Sequence, residues 1–165
     1  MKEYIHNIFN KYRKKGVIVD TNILVLWFVG SVNRSRISQF NRTEKFAPED
    51  YDLLVNILSN FGNIITTPNI LTEVNSLLNQ IGEPERSECL KIFAQGIKRL
   101  NEVYIESLTA VQVDKFTKFG LTDVGIIYLG SQGYLVLTDD LKLASYLQKI
   151  GIDTINFNNI RTYGW

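Results

Sequence analysis

Carboxylates supply the concentrated chemistry of this sequence. Asp20 ends the β-branched run Val17-Ile18-Val19, and the pair Asp139-Asp140 follows Tyr134-Leu135-Val136-Leu137-Thr138. Glu73 borders the apolar stripe of a helix, and Asp123 lies in the first turn of another. Each also has a plain structural reading. Asp20 can cap the helix after it, one aspartate of the pair suffices as a cap, and an anion near a helix N-terminus is favoured by up to ~1 kcal/mol. Glu73 can lean over the end of a sheet or out into solvent. If the acids converge, repulsion matters: a like-charge pair ~4 Å apart costs ~4 kcal/mol at an effective dielectric of ~20. Such a cluster needs bound cations or raised pKa values. Oxygen ligands alone select Mg²⁺ or Mn²⁺ over zinc or copper, and such ions can activate water and steady the charge on a phosphodiester.

The rest of the composition narrows the alternatives. A single histidine, His6, and a single cysteine, Cys89, leave no set of zinc ligands, no Ser-His-Asp triad and no internal disulfide. Neither common glycine-rich phosphate loop occurs. A net charge of +1 gives no global field for nucleic acid. The 165 residues, 45% hydrophobic and 21% charged, fit one globular domain. No apolar run approaches the ~18 residues of a membrane span, and residues 1–15 lack the apolar centre of a secretion signal. The expected location is cytoplasmic, with no membrane partner.

The elements that must position the acids follow from periodicity. Residues 3–14 predict an N-terminal helix with Tyr4, Ile5, Ile8, Phe9 and Tyr12 on one face. Residues 17–19 predict a buried strand, and 22–29 a buried helix ending near Gly30. Pro48 to Asn60 predicts a helix with Tyr51, Leu54, Val55 and Leu58 turned to the core. A strand is expected over 63–66, and Thr67-Pro68 is a strong helix start. Ile70, Leu71, Val74, Leu77, Leu78 and Ile81 form the next buried stripe. Further expectations are a helix over 84–100 with Cys89 as core packing, a strand over 103–105, and a helix over 109–119 ended by Gly120. A helix from Leu121, a strand over 134–137, a helix carrying Leu143, Ala144, Leu147 and Ile150, and a strand over 154–157 complete the alternation. This pattern predicts a single α/β domain with a central parallel sheet flanked by helices on both faces.

One stretch breaks the periodicity. Residues 33–46 carry Arg34, Arg36, Arg42 and Lys45 against the single acid Glu44, with Phe40 and Phe46 interleaved. They read as a basic loop insertion. Cations and rings together suit single-stranded RNA, where phosphates meet charge and bases stack. An exposed insertion without function is the equally plain alternative.

The order of Val17-Ile18-Val19-Asp20-Thr21-Asn22, Thr67-Pro68-Asn69-Ile70-Leu71-Thr72-Glu73-Val74, Leu121-Thr122-Asp123-Val124-Gly125-Ile126-Ile127 and Leu135-Val136-Leu137-Thr138-Asp139-Asp140-Leu141 resembles a PIN domain, over about Gly16 to Phe157. That family comprises metal-dependent nucleases, many of them toxins of toxin–antitoxin pairs that cut RNA. The resemblance implies Asp20, Glu73 and Asp123 as catalytic, metal-holding acids. The family's Thr-x-Asp pattern selects Asp140 as the fourth, with Asp139 as helix cap or alternate ligand. Asn22 and Thr138 match supporting polar residues. The implied activity is a Mg²⁺- or Mn²⁺-dependent endoribonuclease, with an RNA substrate, a cognate antitoxin and a homodimer as expected partners. The interval between Asp20 and Glu73 is longer than in compact toxins, and it holds the basic loop. The alternative is a PIN-like module that binds RNA or protein without cleaving. A phospho-acceptor receiver domain fits less well, because its acidic pair belongs at the first strand and here comes late.

Overall fold

The structure, a computed structural model, describes residues 2–162, with nothing said of the Lys2 side chain. Its strands are β1 (Val17–Val19), β2 (Ile64–Thr66), β3 (Asn101–Glu102), β4 (Leu135–Thr138) and β5 (Thr154–Asn156). The sheet order is β3-β2-β1-β4-β5, and every pairing is parallel. Val17 stands opposite Ile64 on one side and Leu135 on the other. Successive strand residues point to opposite faces, and Val17, Ile18 and Val19 are all fully buried. Both faces of the sheet are therefore covered, as the β-branched run requires.

The helices are α1 (Lys2–Tyr12), α2 (Thr21–Val32), α3 (Pro48–Leu58), α4 (Pro68–Leu78), α5 (Glu85–Ile97), α6 (Ser107–Ala110), α7 (Phe116–Ser131), α8 (Leu141–Lys149) and α9 (Phe157–Thr162). Apolar nearly all round, α2 lies buried against α3, α4 and α5. Against β1 and β4 packs α7, with α8 beside it. No helix among the described residues is long and apolar enough to cross a membrane.

The strand order reverses at β1: the chain builds outward to β2 and β3, then returns to place β4 on β1's other side. Ligand crevices of open parallel sheets form at such a reversal, outside the carboxyl ends of the strands. Asp20 follows β1 and Asp139 follows β4, so the two stand side by side at that point. The backbone N–H of Asp20 extends the ladder by donating to the Leu137 carbonyl at 3.0 Å.

Several local expectations are corrected. The strand expected over 103–105 is instead Asn101–Glu102, and Tyr104 is exposed. No continuous helix spans 109–119. The short α6 is followed by turns, and α7 starts at Phe116 after Lys115 adopts φ 68°. Gly120 sits inside α7 at φ 78°, ψ 179°, a conformation that L side chains avoid, and this break lets a fresh helical turn begin at Leu121. Val55, expected in the core, faces solvent, and Ile57 is buried in α3. The segment after β5 is helical, as α9.

The largest correction concerns residues 33–46. They form a 3₁₀ helix over Arg34–Gln39 followed by turns, and they pack down on the core. Ile37, Phe40, Thr43 and Phe46 are all buried, and the Thr43 hydroxyl donates to the Ile37 carbonyl at 2.7 Å. The stretch is aperiodic because 3₁₀ and turn geometry has no 3.6-residue stripe.

Candidate active site

The ends of β1 and β4 and the starts of α2, α4, α7 and α8 meet around one crevice. Asp20 is buried at 7% exposure, and both of its carboxylate oxygens are engaged. One accepts the backbone N–H of Thr21 at 2.6 Å, and the other accepts the hydroxyl of Thr138. Thr138, fully buried, also accepts the N–H of Asp140 at 3.0 Å. Burial pushes the Asp20 carboxyl up to about 6; the neighbouring Asp139 and Asp140 push the same way, and the bonds from Thr138 and Thr21 oppose them.

Asp123 is half-buried in the turn that Gly120 makes possible, and no hydrogen bond reaches its carboxylate among the described residues. Burial raises it to about 7, with Asp20, Asp140 and Glu73 adding repulsion. The acids expected to converge from four separate elements thus feel one another's charge. Glu73 is exposed at the rim, yet it is held at both oxygens: by the Thr21 hydroxyl at 3.0 Å and the Thr122 hydroxyl at 2.5 Å. Thr21 and Thr122 were not among the expected site residues. Their signal was adjacency, each lying next to an acid in the quoted motifs.

The aspartate pair divides its roles differently from expectation. Asp140, not Asp139, caps α8, its Oδ1 accepting from Lys142 at 2.6 Å and Leu143 at 3.0 Å. This does not remove Asp140 from the crevice, because its charge still acts on both Asp20 and Asp123. Asp139 is buried; its Oδ1 accepts from Asn22 at 3.3 Å, and its Oδ2 is paired with the Lys45 ammonium. Asn158, also absent from the expected set, donates to the Asp139 carbonyl at 2.8 Å.

The proposed RNA-facing residues of 34–45 are differently disposed. Phe40 is buried at 5% exposure and has no face free for a base. Arg34 is paired with Asp52, Arg36 faces Glu85 at 3.7 Å, and Arg42 donates to Gln80 at 2.8 Å. Lys45 turns inward to the acids.

A hard divalent cation suits this donor set in chemistry: the donors are oxygens, and among the described residues a single ammonium compensates their repulsion. The spacing is wider than a ligand shell, and among the described residues no three His, Cys, Asp or Glu side chains stand close enough to hold an ion. The two observations agree physically, because repulsion is felt over ~4–6 Å and ligation needs ~2.0–2.6 Å. No protein-family model matches the chain, and no curated protein matches it, so the chemistry rests on this geometry.

Proposed function

We propose that this chain is a PIN-like, Mg²⁺- or Mn²⁺-dependent endoribonuclease, of the kind that serves as the toxin of a toxin–antitoxin pair. What supports the reading above all is the raised carboxyl of Asp123, held near 7 at a strand-order reversal by burial and by three other acids. Uncompensated charge in a crevice of this type is more than a set of helix caps requires. Asp20, Glu73, Asp123 and Asp140 would hold the ion. A divalent cation bound there supplies positive charge against the acids and against the scissile phosphate.

The chain's own residues do the rest. Thr138 and the Thr21 amide fix the rotamer of Asp20, and the Thr21 and Thr122 hydroxyls fix Glu73 at the rim. The cap on α8 fixes Asp140. Asp123, unbonded and near 7, holds a proton in the metal-free crevice and releases it when positive charge arrives. The test is cleavage of a mixed RNA pool with Mn²⁺, with EDTA, and with Asp123→Asn. Metal-dependent fragments lost in the variant support the reading. Stoichiometric RNA binding without cleavage in any metal would favour the non-cleaving module instead. As a toxin, the wild type should arrest growth on expression, and a cognate antitoxin should relieve it.

A further inference from the structure

We propose that Lys45 withdraws Asp139 from the ligand set of the crevice, so that the site takes one divalent cation rather than two. The inference rests on the metal-dependent reading above and deepens it. Among the described residues, Asp139 alone of the five crevice acids has an ion-pair partner. Its side chain is 1% exposed, and both oxygens are taken, one by Asn22 and one by the Lys45 ammonium. A buried carboxylate stripped of its cation is strongly unfavourable, so the pair does not open readily.

Lys45 is also held from behind. Its ammonium lies 5.2 Å from the centre of the Phe46 ring, and Phe46 is buried at 2%. Arg161 packs over the same ring at 5.3 Å and donates to the Lys45 carbonyl at 2.9 Å and to Asp50 at 3.1 Å. The folded 33–46 segment thus delivers one fixed positive charge to one wall of the crevice. Asp20, Glu73, Asp123 and Asp140 stay without a cation, and they surround space for a single ion's worth of charge.

Calorimetric titration of the metal-free protein with Mn²⁺ tests this in wild type and in Lys45→Met. The expected result is one ion per chain for wild type and two for Lys45→Met. Two ions in wild type, or one in both proteins, would overturn the role of Lys45 and leave the metal-dependent reading standing. No Mn²⁺ binding by either protein would overturn both. Should Lys45→Met fail to fold, lysine ¹³Cε–¹⁵Nζ NMR of the wild type decides the matter during a Mg²⁺ titration. The Lys45 signal should keep its paired position at saturation; a move to the position of free lysines would mean that Asp139 joins the ligands.

Discussion

Replacing Asp123 by Asn should stabilise the metal-free protein at pH 8. The Asp123 carboxyl moves from an ordinary 3.8 to about 7 on folding, so the native state keeps a proton that the unfolded chain has released. For a carboxyl raised in this way, its contribution to stability is fully present below 3.8 and is lost as pH rises through about 7. Raising a carboxyl's pKa by one corresponds to ~1.4 kcal/mol, and the partial exposure of Asp123 halves the full amount by screening, to ~2 kcal/mol. The amide of Asn removes the charge. Nothing is broken in exchange, because no hydrogen bond reaches the Asp123 carboxylate among the described residues. The assay is urea unfolding followed by circular dichroism from about pH 4.5 to 8.5 in EDTA. Wild type should lose stability across that range, Asp123→Asn should lose less, and the curves should separate by ~2 kcal/mol at the alkaline end. A variant less stable than wild type at pH 8 would refute the electrostatic account of the crevice. Asp20→Asn should not copy this gain, since its amide nitrogen would face the Thr21 N–H or the Thr138 hydroxyl, both donors to Asp20.

Other expectations follow from single contacts. Asp140→Ala should cost ~1 kcal/mol in thermal unfolding through the lost α8 cap, whereas Asp140→Asn, itself a good cap, should keep stability and lose metal-dependent cleavage. Phe40→Ala should cost ~3–5 kcal/mol in urea unfolding, as a buried ring does, and a stable variant with weaker RNA affinity would restore the stacking role. Thr66 ends β2 with a buried hydroxyl that has no partner among the described residues, so Thr66→Val should raise the denaturation midpoint by the equivalent of ~1 kcal/mol, and a loss would mean that the hydroxyl is satisfied.

The alternation of strand and helix was legible in the chain because burial on both faces demands runs such as Val17-Ile18-Val19 and Leu135-Val136-Leu137, and these are visible without coordinates. The candidate acids were legible for the same reason: each sits next to a strand end or helix start that periodicity locates. Residues 101–120 were less so, because a two-residue strand and the left-handed turns at Lys115 and Gly120 leave no repeating stripe. What the chain alone could not decide was the partner of each charge. Asp139 and Asp140 are neighbours of the same type, and only the path of α8 makes one the cap and leaves the other to face Lys45. Lys45 and Asp139 are ninety-four positions apart, so nothing local signals their pairing. The basic segment looked like a loop for nucleic acid because its composition is polar; its sparse apolar residues, Ile37, Phe40 and Phe46, are what anchor it to the core. Sequence patterns report which residues want burial and where elements turn, whereas the distance between charges brought in from separate elements is a property of the packed fold.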